Sequence, residues 1–161
     1  MKKSSHGFSL IELLIVVAII LIIAAIAIPN LLRSRIAANQ ASAVGSLRTL
    51  NTAEITYAST YNSGYSQTLD QLAPPATAGA GPTSTAAGLI DSVLGVGVKS
   101  GYSFLYSSGP TDASGRINIY EITGTPISSS TGTNYYFTDQ SGVIRQNSTA
   151  VASSTDSPIA G

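Results

Sequence analysis

The sequence predicts an α+β fold in which one long N-terminal helix packs on a small antiparallel sheet of about four strands. Three patterns support this fold class. An apolar run extends from Phe8 to Ile28 and contains a single charge, Glu12. Residues 30–61 continue with an amphipathic helical repeat. The C-terminal third contains short segments that alternate with period two between turn residues, as half-buried strands do.

The apolar run is long enough to cross a membrane, because about 21 helical residues rise about 30 Å. A carboxylate at the centre of a bilayer costs about 2.5–3.5 kcal/mol, but each central Leu, Ile or Val returns about 0.3–0.6 kcal/mol, so the run inserts despite Glu12. Lys2 and Lys3 precede it without an acidic residue, which favours a cytoplasmic start. An isolated carboxylate in such a segment predicts a specific partner.

Two simpler interpretations compete with a built-in partner for Glu12. The run could be a secretory signal, since Ala25-Ile26-Ala27 has the small-x-small pattern of a signal peptidase site. It could also be a plain signal anchor. A signal peptide usually has a shorter apolar region of about 7–15 residues without a charge. Neither interpretation explains why Gly7-Phe8 directly precedes the run, with Glu12 four residues after Phe8.

The stretch Gly7-Phe8-Ser9-Leu10-Ile11-Glu12, with the apolar residues after it, resembles the N-terminus of a class III prepilin. Such precursors give type IV pilins and the pseudopilins of type II secretion. The resemblance is close over residues 1–35 and architectural beyond them. It implies a pilin fold, a precursor held in the inner membrane, and a prepilin peptidase that cuts between Gly7 and Phe8 and N-methylates Phe8.

The resemblance also implies a role for Glu12, which would neutralise the amino terminus of a neighbouring copy during filament assembly. Phe8 and Glu12 are separated by one helical turn, so pairing within one chain remains open. Pro29 falls where this family kinks its helix. The implied partners are further copies of the chain, the peptidase, the membrane and the inner-membrane pilus assembly machinery. The implied product is an extracellular filament with roles in motility and cell adhesion.

Four segments are expected: a leader at residues 1–7, a transmembrane and assembly half-helix at 8–29, an amphipathic half-helix at 30–61, and a head at 62–161. Asn62-Ser63-Gly64 supplies the helix stop. The tail from Ser148 onward is expected to be mobile or to lie on the surface of the sheet.

The amphipathic half-helix has a defined apolar face with one exception. Leu32, Ile36, Ala43, Leu47, Leu50, Ala58 and Tyr61 share this face, and Val44, Ile55 and Tyr57 flank it. Glu54 falls near the middle of the face. We expect its carboxylate to reach solvent or pair at the domain edge; an ion pair between copies is the alternative.

The head is expected to begin with one helical turn at 68–72, a loop at 74–85 and a short helix at 86–94. The expected strands are 102–106, 116–122, 134–138 and 143–146. In the second strand, Ile117, Ile119 and Glu121 would share one face. Two similar loops, 111–115 and 138–142, follow the pattern Thr-Asp-x-Ser-Gly, which favours turn chemistry over calcium binding because each has one carboxylate.

Composition excludes several classes of function. The chain has no cysteine, and its one histidine, His6, lies in the leader. Zinc sites of Cys and His, thiol nucleophiles and Ser-His-Asp triads are therefore excluded from the processed chain, and neither an enzyme nor a cofactor or metal is expected. The chain has no basic tract, so nucleic acid is not expected to be its primary partner. Asn147, Ser129 and Ser130 are weak candidates for glycosylation.

These patterns together favour a structural subunit of a type IV pilus. One alternative is a type II secretion pseudopilin, although the acidic calcium loop of its major form has no counterpart here. The other is a minor pilin or adhesin that binds surfaces or DNA.

Overall fold

The computed structural model describes residues 8–77 and 79–159. Helix α1 extends from Leu10 to Tyr61. It ends at Asn62, which has a φ of 52° and whose N–H donates to the carbonyl of Ala58 at 3.1 Å. Two short helices follow, α2 at Leu69–Leu72 and α3 at Ser92–Gly95. The strands are β1 (Val98–Lys99), β2 (Tyr102–Ser108), β3 (Tyr120–Pro126), β4 (Tyr135–Asp139) and β5 (Arg145–Asn147).

The five strands form one sheet in the order β1-β2-β3-β4-β5, and every neighbouring pair is antiparallel. Ser100 and Gly101 make the tight turn between β1 and β2, both with positive φ. The predicted class, a long N-terminal helix on a small antiparallel sheet, is thus confirmed, with a short fifth strand that the sequence did not indicate.

The chain divides into two compact units, residues 1–35 and residues 36–161. The second unit is called the head below; it includes the C-terminal part of α1 and is therefore larger than the predicted head at 62–161. It contains the sheet and a core that lies between the sheet and α1. Ala43, Leu47 and Leu50 of α1 are buried there against Ile122 and Tyr136 of the sheet. Asn51 adds a polar link, because its amide donates to the Thr138 hydroxyl and accepts from the Tyr120 hydroxyl.

The predicted strand at 116–122 is displaced in the structure. β3 begins at Tyr120, since the backbone of Ile117 is already paired elsewhere: its N–H donates to Ser63 and its carbonyl accepts from Tyr65. Ile117 is buried, whereas Ile119 is exposed, so the two do not share a face. Tyr120 and Ile122 face the core and Glu121 faces outward, so they lie on opposite faces of the sheet, as the alternation predicted.

The predicted helix at 86–94 is also wrong over most of its length. The first hydrogen bond of such a helix, from the Ile90 N–H to the Ala86 carbonyl, does not form, because the Ile90 N–H donates to Leu72 at 3.2 Å and the Ala86 carbonyl accepts from the N–H of Thr83 at 3.0 Å. Helix α3 starts only after Asp91, whose side chain caps it by accepting from the N–H of Leu94 at 2.9 Å.

The apolar face of α1 is narrower than predicted. Ile55 and Leu32 are exposed. Glu54, by contrast, is completely buried, so it neither reaches solvent nor pairs with another copy. Its carboxylate accepts from the Ser66 N–H at 2.9 Å and from the Ser66 hydroxyl at 2.6 Å.

The two Thr-Asp-x-Ser-Gly loops adopt one geometry. In each, the Asp side chain accepts from the N–H of the Ser and the Asp carbonyl accepts from the N–H of the Gly. Gly115 and Gly142 both have positive φ. The prediction of turn chemistry is confirmed for both loops.

The C-terminal segment lies along β5. The N–H of Gln146 donates to the carbonyl of Ser157 at 3.0 Å, and the N–H of Ile159 donates to Ile144 at 2.9 Å. Ala152 is buried, and so is Phe137 on the outer face of β4.

Candidate assembly site at the helix N-terminus

The N-terminal part of α1 exposes apolar side chains on every face. No residue in the most apolar stretch of α1 is buried, and the length and composition of this helix make it a candidate membrane span. Exposure is 57% at Leu13, 59% at Leu14, 51% at Ile15 and 46% at Val16. Because successive residues of an α-helix are about 100° apart, these four positions cover the whole circumference. A helix apolar all round is stable only in lipid or against other apolar helices.

Ser9 and Glu12 close the start of this helix. Ser9 precedes the first helical residue, and its backbone N–H donates to Glu12 Oε2 at 2.9 Å. A glutamate three residues after a serine that precedes a helix is one half of a capping box. The carboxylate thus satisfies one of the N–H groups left without a partner at a helix start, and its charge suits the positive end of the helix dipole.

Ser9 is the residue of this site that sequence reasoning missed, although the pattern Ser-x-x-Glu carries the signal. Phe8 directly precedes it and is 76% exposed. Gly7, the predicted cleavage position, lies outside the described residues. Cleavage and methylation at Gly7 and Phe8 and the assembly role of Glu12 therefore stay predictions.

Pro29 lies inside α1, and helix is assigned on both sides of it. Because proline lacks an N–H, one helical hydrogen bond is missing there. The predicted kink at Pro29 remains a prediction. Arg33 and Arg35 follow as the first cations after the apolar run.

The chemistry of this site is electrostatic. An α-amino group released at Phe8 would lie one turn from Glu12, the one ionisable side chain between Phe8 and Leu32. A carboxylate and an ammonium attract strongly in an apolar medium, and each is costly there alone. Within the ranges 8–77 and 79–159, no group of three or more His, Cys, Asp or Glu side chains is placed to hold a metal ion.

The candidate glycosylation residues lie in the head. The amide nitrogen of Asn147 donates to Asp156 Oδ1 at 2.9 Å. Ser129 and Ser130 are exposed in the loop between β3 and β4. Modification at all three stays a prediction.

Comparison with known proteins agrees with this description of the N-terminus. Residues 2–28 match the family model of the prokaryotic N-terminal methylation motif. The type IV major pilin protein PilA of Myxococcus xanthus is 52% identical over 50 residues, which are 31% of this chain and 23% of that protein. The resemblance of the N-terminal region to type IV pilins is confirmed.

A second relative matches a shorter part. The type IV wide pilus major component PilA4 of Thermus thermophilus is 62% identical over 37 residues, 23% of this chain and 28% of that protein. The chain thus spans about a quarter of the length of the curated relatives that it matches. No solved structure matches it significantly. The pilin-like architecture of the head accordingly rests on its own geometry.

Proposed function

We propose that this chain is the structural subunit of an extracellular type IV pilus filament. It is made as a precursor held in the inner membrane, cut after Gly7 by a prepilin peptidase, and N-methylated at Phe8. Copies then polymerise through the N-terminal halves of α1. The observation that carries the proposal is a pilin N-terminal motif whose apolar helix is exposed on all sides and whose chain continues into a folded head.

Burial of the apolar segment explains why the filament would be stable outside the membrane. Each Leu or Ile removed from water contributes about 1.5–3 kcal/mol. Transfer from lipid into a bundle of helices yields little of this, because lipid tails are also apolar. Within the membrane the charge of Glu12 therefore has the larger effect, since pairing with the ammonium of a neighbouring copy removes the cost of two isolated charges.

Mass spectrometry of protein sheared from the cell surface tests the proposal. We expect a peptide that begins at N-methylated Phe8 in a high-molecular-weight surface fraction. The same N-terminus confined to the cell envelope would favour a pseudopilin or a minor pilin. An intact Met1, or a start after Ala27, would refute processing at Gly7.

The substitution Glu12→Gln separates charge from helix capping. Glutamine still accepts the hydrogen bond from the Ser9 N–H, but it carries no charge. We expect normal insertion and cleavage and a loss of at least about tenfold in sheared filament mass, because the neighbouring ammonium keeps no counter-charge. Ile11→Leu, which conserves volume and charge, is the matched control. Filament mass equal to wild type with Glu12→Gln would disprove the charge-pairing role.

A further inference from the structure

A small cavity of the head lies beside the C-terminal end of α1. Its volume is about 210 Å³. Its walls come from the last turns of α1, the segment that follows this helix, the loop before α3 and the loop between β2 and β3. The side chains that define its chemistry are those of Tyr57, Tyr65, Gln67, Gln71 and Ser84. Neither the core of the head nor the proposed assembly through the N-terminal half of α1 uses this cavity.

Hydrogen bonds between different segments fix the walls of the cavity. The Tyr57 hydroxyl donates to the carbonyl of Ser84 at 2.7 Å, which ties the loop before α3 to α1. The Gln67 N–H donates to Gln71 Oε1 at 2.7 Å. The ring of Tyr65 is partly buried and packs edge-on against Tyr120, with 4.7 Å between the ring centroids. The site is therefore pre-formed, so a ligand would bind without much loss of conformational entropy.

The walls also present neutral polar groups that can bind a ligand. Among residues 8–77 and 79–159, the structure gives no hydrogen-bond partner for the side-chain amide of Gln67, the amide nitrogen of Gln71 or the hydroxyl of Ser84. A complete amide group and a hydroxyl each offer both a donor and an acceptor. Gly115 completes the wall, and a Cβ added there would meet nothing within 4 Å, so this position leaves room for a ligand.

The lining of the cavity has no charge that would select an ion. None of the described residues that form it is an Asp, Glu, Lys or Arg. Arg116 follows Gly115 in the chain, but its guanidinium donates to Asn62 Oδ1 at 2.9 Å. A charged ligand would therefore lose hydration in the cavity without gaining a counter-charge, which favours a neutral ligand.

The backbone and the size of the cavity exclude an extended peptide. Such a peptide binds by adding a strand to free N–H and C=O groups. Here the Tyr65 N–H donates to the carbonyl of Ile117 at 2.8 Å, and the Ile117 N–H donates to the carbonyl of Ser63 at 3.2 Å. The volume also lies below the range of about 300–1,000 Å³ that is typical of pockets for drug-sized ligands. The ligand is therefore small, about the size of one ring.

We propose that this cavity binds one ring of a neutral sugar that belongs to a polysaccharide. Every hydroxyl of a sugar both donates and accepts, which matches the amide groups of Gln67 and Gln71 and the hydroxyl of Ser84. The tyrosine rings supply an apolar wall for the C–H groups of the sugar. This proposal goes beyond the filament role and does not depend on it, because every residue of the lining belongs to one head.

Binding of one ring is weak, and repetition strengthens it. A single ring has few atoms in contact, so we expect a dissociation constant of about 1 mM for one site. A polysaccharide repeats its rings, and a filament would repeat the cavity once per copy. Several sites would then engage one sugar chain together, and the combined affinity would exceed that of one site.

Saturation-transfer NMR on the full chain tests the site. Deuterated dodecylphosphocholine micelles suit this experiment, because the head group of this detergent is not a sugar. The probes are the methyl glycosides of glucose, galactose and N-acetylglucosamine. Sorbitol, which has no ring, and N-acetylneuraminic acid, which carries a carboxylate, are the control ligands. We expect magnetisation transfer to the ring protons of at least one glycoside and none to either control ligand.

Two pairs of variants locate the binding in this cavity. Ser84→Trp fills the cavity and should abolish the transfer, whereas Thr60→Trp, on an exposed position of α1 outside the lining, should leave it unchanged. Gln67→Leu removes the amide at similar volume and should weaken binding at least about fivefold. Gln140→Leu, at an exposed position outside this cavity, is its matched control. Because all four positions are exposed, the urea midpoint of each variant should equal that of wild type.

The outcomes separate the two proposals. No transfer to any of the three glycosides, or equal transfer with Ser84→Trp and Thr60→Trp, would refute the sugar site and leave the filament role standing. A chain that is processed but forms no surface filament would refute the filament role and leave the sugar site standing. Retention of the chain on polysaccharide purified from the producing cells would identify their own matrix as the source of the sugar, and retention on cellulose beads alone would indicate a foreign surface.

Discussion

The carboxyl group of Glu54 links the end of α1 to the segment that follows it. Ser66 donates to it twice, and the Tyr106 hydroxyl donates to the Ser66 carbonyl at 2.7 Å. Burial raises the pKa of Glu54 above its ordinary value of 4.5, although the hydrogen bonds from Ser66 oppose this. Burial likewise raises the pKa of Tyr106, and the charge of Glu54 raises it further.

The raised pKa of Glu54 makes the stability of the head depend on pH. Because the folded state holds the proton of Glu54 more tightly than the unfolded state, the free energy of unfolding falls as pH rises from about 4.5 through the folded pKa. The contribution of Glu54 to the free energy of unfolding is constant at pH values below this range and constant again above it. Each tenfold difference in proton affinity between the folded and unfolded states corresponds to about 1.4 kcal/mol of stability.

We expect the substitution Glu54→Gln to remove this decrease in the free energy of unfolding with rising pH. Glutamine can accept the Ser66 N–H and donate to the Ser66 hydroxyl, which then donates to the carbonyl of Thr68, 3.1 Å away. The full chain in detergent micelles should therefore be as stable as wild type near pH 4 and more stable near pH 8. Urea unfolding followed by tyrosine circular dichroism measures both, and the difference from wild type cancels other titrating groups. A constant difference across this range would show that Glu54 has the same pKa in the folded and unfolded states.

At the level of elements, close packing between loops decides where β3 begins. Gly64 has a φ of +79°, and a Cβ there would overlap the backbone of Ile117. The Tyr65 N–H donates to the Ile117 carbonyl at 2.8 Å. Hence the segment after α1 holds Ile117 and keeps it out of the sheet.

Gly64→Ala and Gly115→Ala make a matched pair that isolates this packing. Gly115 has nearly the same φ, +77°, but a Cβ there would meet nothing within 4 Å. We expect Gly115→Ala to lower the free energy of unfolding by about 1 kcal/mol through backbone strain alone. Gly64→Ala should cost about 1–3 kcal/mol more because of the overlap. Equal losses in urea unfolding would mean that the Gly64–Ile117 contact relaxes freely.

Local chemistry and distant contacts explain which elements the sequence predicted. The helix end at Tyr61 and the two Thr-Asp-x-Ser-Gly turns were predictable because their signals are confined to a few residues. The start of β3 and the lost helix at 86–94 were not, because backbone groups distant in sequence bind Ile117 and Leu89 there. The burial of Glu54 was not predictable either, because its hydrogen-bond donor, Ser66, lies 12 residues further along the chain. At the N-terminus, the motif identified Glu12, whereas its bond to Ser9 needed only the capping pattern.

For the whole molecule, folding and assembly draw on different parts of the chain. The buried core belongs to residues 43–152, and the large exposed apolar surface of α1 belongs to residues 8–32.

A chain that begins at Arg33 should therefore fold but stay monomeric. It keeps every core residue and the Asn51 bonds, and it lacks the surface that drives association. We expect a monomer in sedimentation at micromolar concentration in neutral buffer, with a cooperative urea transition and the same pH effect of Glu54→Gln. Asn51→Leu in this chain should cost several kcal/mol, because Tyr120, Thr138 and the Gly142 carbonyl lose a buried partner. The adjacent exposed Thr52→Ala, its control, should cost less than about 1 kcal/mol. Oligomers of the truncated chain would show that the heads alone supply most of the association energy, which would move the assembly site from the N-terminal helix to the head.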